Sequence, residues 1–402
     1  MPMDFDSARA QFPALREKVF LDAACVSLAP RSATEAIAEF LRIALECPAR
    51  SSTLHHISMD EMRSTARPAA ARLIGAREDE IALVESTTQG LSLAAQAIPL
   101  STGDRVLLSD LEFIEVATPW LQLQERGVAI DLVPNRNGQV RPEDIADRIT
   151  PRTRVLAISS VQWSNGYRAD LASLSALCRE HGVWLVVDAI QQLGAIPIDV
   201  AATPVDILLC GGHKWLNAPF GCGFMYIRKD RLAELRPPLA GYLNVEMPCG
   251  WGEYFQTPSI SPLGAFKFFK DARRYETGGT ANYGGAIGLA ASLNMILELG
   301  PSRIADHIGR LTTQLLAGLQ AIQVDVVTPP QPEHRSGIVT FSVGSAAENC
   351  SLMEQLLDQK ILVSVRYTSN VGGVRVSCHF YNNFSDIDCL LNVVESSLAR
   401  RR

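Results

Sequence analysis

From Glu80 onward, short apolar runs alternate with amphipathic stretches, the pattern of a mostly parallel sheet whose strands are joined by helices. EIALVES, RVLLSD, RVLAISS, GVWLVVDA, VDILLCGG and FGCGFMYIR read as strands. Between them GLSLAAQAI reads as a helix, and the segment around PWLQLQERG as another that stops at Gly127. ADLASLSALCREHG is an amphipathic helix with Leu171, Leu174 and Leu177 on one face. The β-α-β order from Arg154 to Asp188 predicts a right-handed crossover. An irregular stretch rich in Pro, Gly and aromatics runs from Pro237 to Pro262, and GAIGLAASLNMILEL then forms a long helix closed by Gly300 and Pro301. The remainder alternates with weaker periodicity. The fold class is therefore α/β: a large domain over residues 20–290, and a smaller α+β domain from 291–402 joined by 1–19.

Composition narrows the possibilities mainly by exclusion. The 402 residues carry 43 acidic and 37 basic side chains, a formal charge of −6, so no basic field points to nucleic acid. Arg400, Arg401 and Arg402 read as a solvated terminus. Nine cysteines are scattered singly with no C-x-x-C pair, and no metal site is expected. Cys178, Cys210 and Cys389 sit in apolar runs, where a free thiol behaves as a small buried hydrophobe. A reducing, cytoplasmic setting fits this usage. MPMDFDSARAQF lacks the apolar stretch of a signal peptide, and no apolar run is long enough to span a bilayer. No membrane partner is expected.

Ligands of open α/β sheets bind at the carboxyl ends of the strands. GVWLVVD ends in Asp188, and VDILLCGG leads straight into His213 and Lys214. A Lys and an Asp so placed are what pyridoxal phosphate requires: an amine to form the imine, and a carboxylate to keep the pyridine nitrogen protonated. Neither is specific alone, since an Asp after an apolar strand is as often a helix cap and a lone Lys is usually a surface charge.

DAIQQLG followed by GGHKWLNAPFGCGFMYI resembles the paired signature of the class V aminotransferases and cysteine desulfurases, and the similarity extends from LDAACVSLAP to RVSCHFYNNFSDID. The resemblance implies a fold-type-I pyridoxal-phosphate enzyme with a mostly parallel seven-stranded sheet, with pyridoxal 5'-phosphate as cofactor on Lys214. Thr87 and Thr88 then fall where a helix N-terminus would cradle the phosphate; from local sequence alone a plain helix cap is as good a reading. Phe113 matches the position that stacks on the pyridine ring; many relatives carry His there, and Phe cannot transfer a proton. Gln191 resembles the glutamine that hydrogen-bonds the phenolic oxygen, and Gln162 or its neighbour Trp163 falls where a second contact to that oxygen is expected. His213 resembles a phosphate-contacting histidine, while Gly211 stands where relatives often have Ser. ETGGTANYGG resembles a segment that reaches the neighbouring subunit's phosphate through Thr280, implying a homodimer with shared active sites. Arg375, in GVRVSCHFYN, matches the arginine that grips the substrate α-carboxylate, and Ala24 falls at a substrate contact. Arg366, in a flexible segment, reads as a solvated loop residue, with recognition of a second acidic group on the substrate as the alternative.

The resemblance implies an α-amino acid substrate and Cα deprotonation by Lys214, followed by transamination or β/γ-elimination; the overall fold does not decide between outcomes. Cysteine desulfurases carry a nucleophilic Cys on a mobile loop just before the carboxylate arginine, whereas RYTSNVGGVR holds none. That disfavours desulfuration, and Cys350 and Cys378 read as structural. Epimerisation, or a desulfurase with a displaced thiol, are the alternatives; a pyridoxal-phosphate-binding sensor is the non-enzymatic one. Tyr242, Trp251, Tyr254 and Phe255 in the irregular stretch are candidates for a lid or, equally, a dimer contact.

Overall fold

The computed structural model describes residues 3–246 and 250–400. Arg401 and Arg402, most of the basic tail, lie outside them. A seven-stranded sheet forms the centre, in the spatial order Ile81–Val84, Gly223–Ile227, Ile207–Gly211, Trp184–Asp188, Thr153–Ser159, Arg105–Ser109, Ala129–Val133. Only Gly223–Ile227 is antiparallel to its neighbours. The other six strands share one direction and release their chains at one edge of the sheet. IALV, WLVVD, ILLCG and GFMYI are buried throughout, which is why they appear as continuous apolar runs rather than alternating ones. Ala129–Val133 escapes a pattern reading because it is an edge strand: Asp131 is partly exposed and holds the Arg105 guanidinium across the pair.

The helix Tyr283–Leu299 is apolar on nearly every face because the helices Arg31–Glu46, Ser52–Ser64 and Ala66–Ile74 surround it. Gly300, at φ 87°, ends it, and Pro301 occupies the first turn of the next helix, Pro301–Ile322. That helix, with Ala346–Asp358 and Phe384–Ala399, covers a four-stranded antiparallel sheet in the order Asp325–Val326, Ile338–Ser342, Val371–Ser377, Ser364–Thr368. Cys389 is exposed on the outer face of the last helix, not buried as its apolar surroundings in sequence imply.

The N-terminal segment links the two sheets. Val19 and Phe20 pair with Ile361 and Leu362, and the Ser377 amide donates to the Leu21 carbonyl at 2.7 Å. Residues 22–27 then cross to the central sheet, where the Ser27 amide donates to the His213 carbonyl at 2.9 Å. Among the described residues no helix is long and apolar enough to cross a membrane.

Candidate active site

Asp188 closes its strand and is buried; Lys214 follows the adjacent strand by three residues. The two are close enough for each to act on the other's charge. Burial pushes the Asp188 carboxyl well above its usual range, with Glu115 adding to the effect and the Ile190 amide and Lys214 opposing it. Burial also lowers the Lys214 amine, against the pull of Asp188 and Glu115. A buried carboxyl in this condition is short of a cation. A pyridinium nitrogen would supply one.

The lysine is held from several sides. Its neighbour Trp215 donates Nε1–H to Gln191 Oε1 at 2.8 Å, and Gln191 Nε2 donates to the Ala24 carbonyl at 3.0 Å. Gln191 thus ties the lysine loop to the crossing N-terminal segment, and both ends of its amide are engaged. Gly194 is required beneath this loop: at φ +97° a Cβ there would stand 2.0 Å from the Trp215 carbonyl oxygen. Phe113 roofs the lysine, with Nζ 5.7 Å from the ring centroid, and Trp163 meets Phe113 edge-on at 5.1 Å.

The phosphate candidates assemble around Gly211. Ser86 caps the helix Thr87–Ala97 by accepting from the Gln89 amide, leaving the Thr87 and Thr88 amides in the first turn, where a helix has no intrahelical acceptors. Thr87 Oγ1 accepts from the Gly211 amide at 2.9 Å, so its own proton remains available to an anion. A Cβ on Gly211 would lie 2.8 Å from Thr87 Oγ1 and 3.4 Å from His213 Nδ1, which explains why serine does not fit there. Burial holds His213 down to about 4, with Lys214 adding to the effect, so its ring is neutral at ordinary pH. Thr88 is exposed and turns its hydroxyl to Glu115 Oε2 at 2.7 Å. Thr280 is not brought to this cluster; it is exposed in a separate groove with Phe40, His55, His56 and Tyr283.

Gln162 is buried and its Nε2 donates to Glu112 Oε1 at 2.8 Å. Glu112 also accepts from the Ser159 amide and hydroxyl, and burial lifts it to about 7 despite those bonds. The Trp163 Nε1–H, by contrast, has no partner. Arg375 is 1% exposed; Nη1 donates to the Trp163 carbonyl at 2.9 Å, Nη2 to Asp22 Oδ1 at 3.1 Å, and Nε has no partner. Both donors are thus buried and unpartnered, and the Arg375 guanidinium is near enough to act on the charge of Lys214.

Three residues here escape a sequence reading. Asp22 neutralises one edge of Arg375, Glu115 acts on both Asp188 and Lys214, and Cys25 lies by Arg366, whose Nη2 is 3.4 Å from its Sγ. Arg366 is therefore no solvated loop residue: it is half-buried on the strand Ser364–Thr368. Nor is the segment before Arg375 a mobile loop. Ser364–Thr368 and Val371–Ser377 are joined by only Ser369 and Asn370, both at positive φ (44° and 64°), the twist a tight hairpin needs. The 237–262 stretch contributes Tyr242, Tyr254 and Phe255 to an apolar cavity of about 540 Å³, whose walls include none of the cofactor candidates.

The candidate site thus sits at the strand ends of an α/β fold, around the buried Asp188 and Lys214. A model of the family "Aminotransferase class-V" matches residues 19–390, and the chain belongs to that family. It is accordingly a pyridoxal-phosphate-dependent enzyme of fold type I. It is 26% identical to a probable cysteine desulfurase of Methanothermobacter thermautotrophicus, over 98% of each chain. It is 29% identical to a cysteine desulfurase of Escherichia coli, over 97% of each. The apo structure of cysteine desulfurase from Thermococcus onnurineus superimposes with a TM-score of 0.86 at 26% identity, covering 99% of this chain and 98% of that one.

Proposed function

We propose that this enzyme cleaves the Cβ–S bond of cysteine or a closely related α-amino acid. Full-length similarity to proteins named as cysteine desulfurases supports the sulfur substrate. The observation that carries the chemistry is the buried Asp188 and Lys214, paired across adjacent strand ends and faced by Arg375 with a free Nε.

When bound, pyridoxal phosphate supplies an aldehyde for amines and a cationic ring that stabilises negative charge at Cα. Asp188 would hold the ring nitrogen, Phe113 would pack against the ring, and Trp163, through its unpartnered Nε1–H, would donate to the phenolic oxygen in place of Gln162, whose Nε2 serves Glu112. Thr87, His213 and the first-turn amides of Thr87 and Thr88 would hold the phosphate. Arg375 orients the substrate α-carboxylate, with Ala24 lining the approach and Gln191 fixing both that segment and the lysine loop. Lys214 Nζ, its basicity lowered by burial, takes and returns the Cα proton. Thr280 completes the site of a second copy, making the working unit a homodimer. The free thiols suit a cytoplasmic setting.

Products decide the reading. Incubation with L-cysteine followed by mass spectrometry is expected to give sulfide or sulfane sulfur with pyruvate or alanine. A keto acid that retains its sulfur, together with an aminated cofactor, would mean transamination and defeat it. Borohydride reduction and digestion should place the pyridoxyl group on Lys214, and Arg375→Ala should raise KM while the protein stays yellow.

A further inference from the structure

The Glu112 side chain is 8% exposed, and among the described residues no cation pairs with it. A buried carboxylate in that position costs more than an amide of the same size, unless both of its oxygens are needed as acceptors. Both are engaged. Oε1 accepts from Gln162 Nε2 at 2.8 Å, and Oε2 accepts from the Ser159 amide at 3.0 Å and from the Ser159 hydroxyl. A glutamine at position 112 can accept through one oxygen only, and its own amide hydrogens would face those of Gln162 or Ser159.

These bonds reach into the site from two segments. Phe113 is next in the chain, its ring 5.7 Å from Lys214 Nζ. Gln162 is 1% exposed with Oε1 unpartnered, so the bond to Glu112 is the only one its side chain makes among the described residues. Trp163 follows directly. Its ring meets Phe113 edge-on at 5.1 Å, and its carbonyl accepts from Arg375 Nη1 at 2.9 Å. One carboxylate thereby joins the segment that bears Phe113 to the segment that holds the guanidinium.

We propose that Glu112 is a positioning residue: by holding Gln162 it fixes Trp163, and through the Trp163 carbonyl it sets the Arg375 guanidinium for the substrate α-carboxylate. The inference rests on the functional reading above, in its assignment of Arg375 to that carboxylate. Because the contacts run to Arg375 and not to Lys214, Glu112 acts on the hold over substrate and leaves proton transfer at Cα to the lysine. A packing role alone would lower stability without separating the two.

The test is a set of variants of the cofactor-loaded enzyme, assayed with L-cysteine. Glu112→Gln should stay yellow and raise KM about tenfold, with kcat within about threefold of the original. The exchange Glu112→Gln with Gln162→Glu restores a donor facing an acceptor, and should bring KM back to within about threefold. In an Arg375→Ala background, Glu112→Gln should change KM by less than about twofold, since the group it positions is gone. Hydrogen–deuterium exchange of the cofactor-free protein gives a readout apart from turnover: amides of the 159–167 segment should exchange faster in Glu112→Gln and recover in the double exchange. The proposal is overturned if Glu112→Gln leaves KM unchanged, if it lowers kcat with KM unchanged, or if the double exchange restores nothing. Should Glu112→Gln fail to fold, Gln162→Leu removes the same link from its other end and must raise KM alike, or the proposal fails. If L-cysteine is not consumed, or Arg375→Ala leaves KM unchanged, the functional reading itself falls, and this one with it.

Discussion

Burial raises the Asp188 carboxyl above its usual range, with Glu115 adding to the effect and the Ile190 amide, at 2.9 Å, and Lys214 offsetting it only in part. Asp188→Asn should therefore retain the fold and covalent attachment at Lys214 while losing turnover by several orders of magnitude, since a neutral amide cannot keep the ring nitrogen protonated. Stopped-flow spectra and turnover of the loaded variant check this; turnover within tenfold of normal would refute the role. Glu112 offers a second pH test, although it also adds to the raised value of Asp188. Its folded value, about 7, lies above that of an unfolded glutamate, so the folded chain keeps a proton that the unfolded chain releases. That contribution is complete at low pH and disappears as pH rises through 7. Relative to Glu112→Gln, the unsubstituted protein should lose stability between pH 5 and pH 8, measured by urea unfolding at each pH. A constant difference would show that the carboxyl is ionised throughout.

At the scale of elements, the buried ion cluster at Glu276 fastens the segment that precedes Thr280. Glu276 accepts from Arg63 at 2.7 Å, from Arg67 at 2.7 Å and from the Leu83 amide at 3.0 Å, joining two helices to the first sheet strand. Both arginines hold its carboxyl below its usual value against the cost of burial. Glu276→Ala leaves two buried guanidinium groups facing nothing, which should cost about 3–5 kcal/mol by denaturant unfolding. A loss under about 1 kcal/mol would mean that water replaces the carboxylate. Gly211→Ser tests the phosphate cradle: its Cβ meets Thr87 Oγ1 at 2.8 Å, so cofactor affinity should fall rather than gain from the extra hydroxyl. Titration of cofactor-free protein with pyridoxal phosphate measures this, and tighter binding would overturn it.

For the whole molecule, the separation of Thr280 from Thr87, Gly211 and His213 within one chain has a consequence for subunit mixing. If Thr280 serves a second copy, a Lys214→Ala chain and a Thr280→Tyr chain are each impaired alone. Refolded together, they should recover activity, because a hybrid pair contains one site with both the lysine and the threonine. No recovery in a pair shown by light scattering to be dimeric would place Thr280 outside the site.

Much of this was legible in the residues. Strands buried on both faces give unbroken apolar runs, and Asp188 and Lys214 stand at the ends of two of them, so fold class and the central pair follow from local pattern and family signature together. Ala129–Val133 was not legible, because an edge strand shows half its residues to water. Nor was the engagement of Gln162 by Glu112, the placing of Arg366, or the arrival of Cys25 beside it. Each of these depends on chain segments far apart in sequence; Arg366 and Cys25 are separated by 341 positions. Periodicity and spacing report on the chain's neighbours along itself, whereas hydrogen bonds and charge act through space. Only the packing of the second sheet and the crossing segment against the first could decide which side chains face one another.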